Sequence, residues 1–411
     1  MNLQKIILTS AAAGLLAGLT ACSSDSDGNG STNNTRYTTG AITAFGSVYV
    51  NNARYNTDNA TVYIEDGAAS TSDLRVGMMV TIKESSPGMA DVIYHDDDVE
   101  GIVLSTNILA DGTGTMNVMG QTVTVDSKTI FESYVSGVSS AAGIEAGNIV
   151  EVTGSSSGHG SVAATRLELK ALNLTTYLDS HDYIEVKGIV SGHNDTNTFD
   201  IGALTIEYTT ETVLDDMPAG NWDGLYVEVK SVQALNDMSH MVASKVELEN
   251  HGSKGYYDDD SEVEVKGEVS EVTSDSVTVN GVTFVLDAST RYEHGSANDL
   301  VVGVLVEVEG YVYANGGLIA DEVEFEDYDS EMETQHNVSA VNATAANEGT
   351  IEMNGMTFHI NSSTIMQDSS DAHLAHFNLT SISVGDLVKV YYFDDNGTNR
   401  VTKLERETAE M

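Results

Sequence analysis

The stretch SVTVNGVTFVLD, from Ser276 to Asp287, holds two short runs of alternating residues on either side of Asn280-Gly281. Asn and Gly both accept the positive φ of a type I′ turn, and this pair between two such runs is the strongest short-range signal for a β-hairpin. A looser copy, TIEMNGMTFHIN, runs from Thr350 to Asn361. The recurrence indicates a chain built from repeated β-modules.

A second repeated pattern is a turn glycine followed by alternating apolar residues, as in LVVGVLVEVEG from Leu300 to Gly310. This pattern indicates a turn that leads into a strand. The glycine returns at intervals of 70 to 82 residues, in segments that begin at Leu74, Ile144, Trp222 and Ile382. The chain is therefore predicted to contain five repeats, with Trp222 at an apolar core position.

Each repeat also opens on a strand with a small residue at its middle. The fifth repeat has Ser339 there, and the others have glycine. Glycine weakens a strand, so its return at one place predicts a bend or a close approach of backbone, as at the corner of a small barrel. The glycines are Gly40, Gly101, Gly188 and Gly267.

Each repeat runs in the order glycine strand, hairpin, irregular or briefly helical segment, turn-glycine strand and last strand. Five strands with the longest gap after the third match an OB-like barrel, although a small sandwich would give much the same pattern. We predict an all-β protein of five tandem small five-stranded modules, OB-like barrels or small sandwiches, after a signal peptide and a flexible tether. Modules 1 to 5 span residues 39–95, 98–170, 182–249, 261–326 and 334–405.

Modules that follow one another in the chain are expected to be neighbours in a row, as in other repeat proteins. A cut between Asn250 and Asp260 should then leave two separately folded pieces.

The repeat resembles an uncharacterised family found in tandem in lipoproteins of Gram-negative bacteria, the domain of unknown function family numbered 5666. The likeness lies in VNGVTF at Val279 to Phe284, VGVLVEVEG at Val302 to Gly310 and ADEVE at Ala320 to Glu324. The resemblance implies an exported β-domain with no known activity. It implies no functional residue.

The first residues of the chain resemble a targeting signal. Lys5 precedes a weakly apolar run from Ile6 to Thr20, which suits the core of a signal peptide over residues 1–21. The run ends in LTAC, which resembles the lipobox of bacterial lipoproteins, and Cys22 is the single cysteine of the chain. We expect a lipid on Cys22, a flexible tether over residues 22–38, and an outer-membrane location that is periplasmic or surface-exposed.

The charge balance limits the partners. The chain has 63 acidic and 18 basic residues and a net charge of −45. Nucleic acid is excluded as a partner because its binding depends on Lys and Arg that neutralise phosphates. The expected partners are the membrane, through the lipid, and an envelope protein or polysaccharide.

Acidic residues cluster at the junctions between modules. Such clusters are typical of solvated linkers, but they also offer carboxylates for weak calcium binding, which needs six to eight oxygens. Calcium is the only cofactor that we consider at these positions. The candidate ligands are Asp96, Asp97, Asp98, Asp258, Asp259 and Asp260, with Asp327 and Asp329 at the last junction.

A different metal site is offered by DAHLAH. His373 and His376 lie three residues apart and would share a face with Asp371 in a helical turn, as zinc or copper ligands. This group has no copy in the other modules, and a chance histidine pair in a connector is the alternative.

The sequence favours a non-catalytic protein, because similar surfaces are spread over all modules instead of unusual residues being gathered in one. We expect a lipid-anchored envelope protein with a binding or scaffolding role and an unknown ligand. The alternatives are a weak calcium-binding repeat protein and an exported metal-dependent hydrolase.

Overall fold

The computed structural model describes residues 35–65, 67–194, 197–236, 239–249, 257–258, 260–313, 317–326, 331–395 and 397–408. These residues form 35 strands, one short α-helix and two 3₁₀ turns. The chain is therefore nearly all β, as predicted.

The strands of module 1 are β1 (Arg36–Ala41), β2 (Ala44–Phe45), β3 (Val48–Val50), β4 (Ala53–Tyr55), β5 (Thr61–Ile64), β6 (Gly67–Ala69), β7 (Met79–Ser86) and β8 (Met89–His95). Module 2 contains β9 (Val99–Ile108), β10 (Gly114–Val118), β11 (Gln121–Val125), β12 (Ile130–Ser133), a 3₁₀ turn (Ala141–Gly143), β13 (Ile149–Ser156) and β14 (Ser161–Ala171). The helix α1 (Leu174–Leu178) follows it.

Module 3 contains β15 (Ile184–Ile189), β16 (Ser191–Asn194), β17 (Thr198–Ile201), β18 (Leu204–Glu207), β19 (Val213–Asp215), β20 (Tyr226–Ser231), β21 (His240–Val242) and β22 (Lys245–Glu249). Module 4 contains β23 (Glu262–Val272), β24 (Ser276–Val279), β25 (Val282–Val285), β26 (Arg291–Glu293), β27 (Leu305–Tyr313) and β28 (Gly317–Phe325). Module 5 contains β29 (Met332–Asn337), β30 (Ala340–Ala345), β31 (Glu348–Met353), β32 (Met356–Ile360), β33 (Ile365–Asp368), a 3₁₀ turn (Leu379–Ser381), β34 (Leu387–Asp395) and β35 (Thr398–Glu407).

Modules 2 and 4 close into five-stranded barrels. In module 2 the strands follow the order β9, β10, β11, β14 and β13, and β13 returns to pair with β9. The pairing of β11 with β14 is parallel, and the other pairs around the barrel are antiparallel. This is the order of an OB-like barrel. In modules 1, 3 and 5 the opening strand is split in two, as β1 and β2, β15 and β16, and β29 and β30.

The predicted hairpin at Ser276 to Asp287 is confirmed. Asn280 and Gly281 have φ values of 50° and 72°, and Val277 pairs with Phe284 inside the core of module 4. Module 5 has the same turn, with φ values of 48° at Asn354 and 77° at Gly355. Trp222 is buried in module 3, also as predicted.

The prediction that the modules lie in a row is wrong. Strand β1 of module 1 pairs in parallel with β23 of module 4, so that Arg36 to Thr39 lie beside Glu262 to Val265. Strand β9 of module 2 pairs with β15 of module 3. Tyr37 of module 1 lies in the core of module 4, and Tyr49 lies in that of module 5. The physical reason is that an open strand edge exposes N–H and C=O groups, which pairing between opening strands satisfies.

Candidate functional site

The glycine of each opening strand makes room for the hairpin that follows it. A β-carbon on Gly267 would collide with the side chain of Asn280, and one on Gly40 with that of Asn51. Asn280 donates from Nδ2 to the carbonyl oxygen of Lys266 at 2.6 Å, and Asn51 donates to that of Thr39 at 3.1 Å. The predicted close approach is therefore confirmed, and it is made by the turn side chain.

These two asparagines face a cavity of about 590 Å³ where modules 1, 2, 4 and 5 meet. Its walls are rich in uncharged polar side chains, and they also include the apolar residues Ile42, Ile365 and Phe393. The amide and hydroxyl side chains in the walls are Asn51, Asn52, Asn280, Asn361, Thr43, Thr124, Ser155, Thr165, Ser363 and Thr402.

Direct contacts between modules hold these walls together. The hydroxyl of Thr165 donates to the carbonyl oxygen of Gly77 at 2.6 Å, which joins modules 2 and 1. The hydroxyl of Ser155 donates to the carbonyl oxygen of Glu268 at 3.0 Å, which joins modules 2 and 4. The cavity is therefore a property of the assembled modules and not of one repeat.

The charges in the cavity wall balance. Three bases, Lys128, Lys266 and Arg400, face three acids, Asp126, Glu268 and Glu326. Burial raises the pKa of Glu268, and the charge of Asp126 raises it further.

Most of these charges already have partners in the protein. Lys266 pairs with Glu326, and Arg400 pairs with Asp395. The carboxylate of Asp126 accepts from the backbone N–H groups of Lys128 and Thr129, both at 2.9 Å. The wall therefore offers hydrogen bonds more than net charge.

A second polar feature is a buried cluster centred on the ammonium of Lys187. Its Nζ lies 3.0 Å from Glu65, 3.3 Å from Glu228 and 3.6 Å from Asp96. Oxygens of Glu65, Glu185 and Glu228 all lie within 4.8 Å of one another. Because Glu65 belongs to module 1 and Lys187, Glu185 and Glu228 belong to module 3, the lysine ties modules 1 and 3 together.

Burial and mutual repulsion shift these groups. Burial raises the pKa of Glu65, and it raises that of Glu185 further, well above its usual range, together with the charge of Glu65. Burial alone would lower the pKa of Lys187, but the surrounding carboxylates raise it well above its usual value. The lysine is therefore held in its charged form.

The structure gives each aspartate of the first junction a separate partner. Asp96 lies beside Lys187, Asp97 lies 3.5 Å from Nε2 of His95, and Asp98 accepts from the backbone N–H of Gly154 at 2.8 Å. The charge of Asp97 outweighs the burial of His95 and raises the pKa of that imidazole to about 9. Calcium at Asp96, Asp97 and Asp98 stays a prediction.

The junction before module 4 is docked on module 1. Asp258 accepts from Lys83 Nζ at 2.8 Å and from the hydroxyl of Tyr37 at 3.0 Å, and Tyr257 packs edge-on against Tyr37. Asp260 is exposed with a φ of 62°. Asp259, Asp327 and Asp329 lie outside the described residues. Calcium binding here also stays a prediction.

The proposed zinc or copper ligands of module 5 do not form a group. In the part of the chain that the structure describes, the acidic and histidine groups close enough to share an ion consist of glutamates alone. His376 stacks on Phe45 with ring centroids 4.0 Å apart, and its Nε2 lies 3.2 Å from the carbonyl oxygen of Leu74. Asp371 and His373 are exposed.

Cys22, with the predicted signal peptide and most of the tether, lies outside the described residues. In the ranges that are described, no helix has the length and apolar character that a membrane crossing needs.

The fold and the repeated turn define a class, an all-β repeat protein made of OB-order modules. The model of the family described as Domain of unknown function (DUF5666) matches residues 39–85, 100–168, 187–247, 266–324 and 337–405. The chain belongs to this family. Its description names no activity.

Curated proteins and solved structures point to no function for this chain. Among curated proteins, none matches this chain. A solved structure described as drosophila Unr CSD456 is similar at 12% identity, over 54% of this chain and 95% of that chain, with a TM-score of 0.13. That likeness is too low to assign a fold or a function.

Sequence reasoning missed the cavity and the Lys187 cluster. A signal for the cluster was present, because Lys187 and Lys266 each stand directly before an opening-strand glycine in a chain that has few bases. No sequence signal marked the cavity, whose walls come from four separate modules.

Proposed function

We propose that the chain is a non-catalytic binding protein of the cell envelope, held to the outer membrane by a lipid on Cys22. The observation that carries the binding role is the cavity of about 590 Å³ between four modules. Small-molecule sites typically have volumes of about 300 to 1,000 Å³. A cavity that only the assembled chain forms also gives the repeats a reason to be arranged in this way.

The ligand class that suits the wall is neutral and rich in hydroxyl groups, such as a short saccharide. The balance of three bases and three acids disfavours a strongly charged ligand. Asparagine amides both donate and accept hydrogen bonds, as sugar hydroxyls require. Phe393 adds aromatic surface to the lining.

The partners of two of the three wall carboxylates favour binding over catalysis. A general acid or base must be within hydrogen-bond reach of the substrate proton. The carboxylate of Asp126 is held by backbone N–H groups, and that of Glu326 by Lys266. The described lining residues include no His or Cys.

The binding proposal is tested by calorimetry of the full chain in mild detergent, with maltose, cellobiose and chitobiose as probes. Thr124 and Thr122 are both exposed on β11, two residues apart, but only Thr124 lines the cavity. Thr124→Trp should weaken binding at least about tenfold because the indole occupies part of the cavity, and Thr122→Trp should not.

Failure of all three sugars to bind would contradict the saccharide proposal. Equal affinity in both variants would place the ligand elsewhere, and release of monosaccharide during the titration would show catalysis.

The lipid proposal rests on LTAC and on Cys22 as the single cysteine. Cells given a clickable fatty acid should label the wild-type chain, and Cys22→Ser should abolish the label. Label that persists in the variant would overturn this part.

A further inference from the structure

The opening strands of the modules follow one pairing rule. Each opening strand has two edges, and where the strand is split this applies to its first half. One edge pairs antiparallel with the turn-glycine strand of the same module, as β1 pairs with β7 and β29 with β34. In modules 1 to 4 the other edge pairs with the opening strand of another module, β1 with β23 and β9 with β15. Five is an odd number, so one opening strand remains.

The remaining strand is β29 of module 5. In the part of the chain that the structure describes, it pairs with β34 alone. Its six residues, Met332 to Asn337, are exposed or half-buried, whereas all six of β15 are buried or half-buried. Half of the backbone N–H and C=O groups of such a strand point away from its single neighbour. These groups form an open hydrogen-bonding edge.

We propose that β29 pairs with β29 of a second copy of this chain and so forms a homodimer with one continuous sheet. The occupant follows from the pairs inside the chain, since every opening strand with a known second partner has another opening strand there. A second copy supplies a strand of the same length, exposure and pairing.

In a dimer with two-fold symmetry we expect the two copies of β29 to run antiparallel, as β9 and β15 do. A two-fold axis through an antiparallel pair places one residue opposite its own copy, because neighbouring residue pairs alternate between two hydrogen-bonding types. An axis at Glu333 would oppose two carboxylates, which is destabilising.

An axis at Thr334 places Glu333 opposite Gln335 of the other copy, and an axis at Gln335 places it opposite Asn337. Both registers avoid like charges. The side chains on this edge are also held within module 5. Glu333 pairs with Lys389 at 3.1 Å, Gln335 donates to Glu407 at 3.1 Å, and Asn337 donates to the carbonyl oxygen of Gly385 at 2.9 Å. These contacts hold the side chains of β29 in place beside the open backbone edge.

The mass of the full chain in mild detergent tests the dimer, measured by light scattering after size exclusion. A six-residue pair is a small interface, so the dimer is expected to be weak and its share to rise with protein concentration. Thr334→Lys with Gln335→Lys places like charges together in both registers and should leave monomer at every concentration.

A matched control changes Thr357 and His359 to Lys. These residues are exposed on the same module, but their strand, β32, has neighbours on both edges. This variant should dimerise as the wild type does. Equal thermal stability of the two variants would show that both fold.

A second measurement locates the two-fold axis by disulfide crosslinking. Residues directly opposite in an antiparallel pair have Cα atoms about 4.5 to 5.5 Å apart, which suits a disulfide. Thr334→Cys or Gln335→Cys, but not both equally, should form a crosslinked dimer under mild oxidation, with the parent chain as the control. Monomer at all concentrations, or a dimer that the edge lysines do not weaken and neither cysteine traps, would overturn the proposal.

Discussion

The side chain of Asn280 lies directly over Gly267, where a β-carbon would collide with its amide group. The hairpin turn thus rests on the opening strand of the same module, and the glycine is needed for the contact. Asn51 and Gly40 repeat the arrangement in module 1.

Gly267→Ala should destabilise the protein by about 1 to 3 kcal/mol, because the new methyl group displaces the Asn280 amide and its hydrogen bond. Urea unfolding followed by circular dichroism measures the loss. In an Asn280→Gly background, where the turn keeps its positive φ, the same alanine should cost less than half as much. Equal losses in both backgrounds would contradict the contact as the cause.

The pairing of β1 with β23 predicts that the two halves of the chain hold together after cleavage. With a specific protease site at residues 251–255, the two pieces should co-elute in size exclusion, because module 1 shares a sheet with module 4. Thr38→Pro, in the middle of β1, should weaken their association by removing a ladder N–H and distorting the strand. If the two pieces eluted separately without that substitution, the modules would be independent and arranged in a row.

Lys187→Met should destabilise the protein by about 3 to 5 kcal/mol at pH 8, since it leaves buried carboxylates without their cation. The loss should shrink as the pH falls, because burial raises the pKa of Glu65 and Glu185 and protonation removes the repulsion between them. Fluorescence of Trp222, in the same module, reports the unfolding.

Lys245→Met is the matched control, since Lys245 pairs with Asp215 and Glu247 at a more exposed site. It should cost about 0 to 1 kcal/mol. A loss at Lys187 that does not depend on pH would argue against carboxylate repulsion.

The raised pKa of Asp98 predicts that the protein loses stability as the pH rises. Burial raises the pKa of this carboxyl to about 7, against 3.8 in an unfolded chain. The folded state therefore binds more protons between the two values, and stability that is present at low pH is lost as the pH rises through 7.

Asp98→Asn keeps an acceptor for Gly154 and should flatten this profile by roughly 2 to 4 kcal/mol between about pH 4.5 and 8. Asp321→Asn, at an exposed ion pair with Arg291, should leave the profile unchanged. Urea unfolding over this pH range measures the free energy of unfolding. If its dependence on pH is the same in Asp98→Asn as in the wild type, the Asp98 carboxyl is not the cause.

The sequence alone was sufficient for the module, because the module is made by local chemistry. Asn280-Gly281 requires a tight turn, alternation decides which side chains enter the core, and the recurring glycine marks where the turn crosses the opening strand. These signals lie within one repeat, and they return at a regular interval that a single sequence displays.

Only the tertiary structure decided which modules touch. The edge of β1 can pair in the same way with any opening strand, since backbone hydrogen bonds carry little sequence information, and the pairing with β23 joins residues more than 200 positions apart. The cavity, the Lys187 cluster and the open edge of β29 all depend on that arrangement. Each is built from groups that are ordinary in their own repeat and acquire a role only where distant repeats meet.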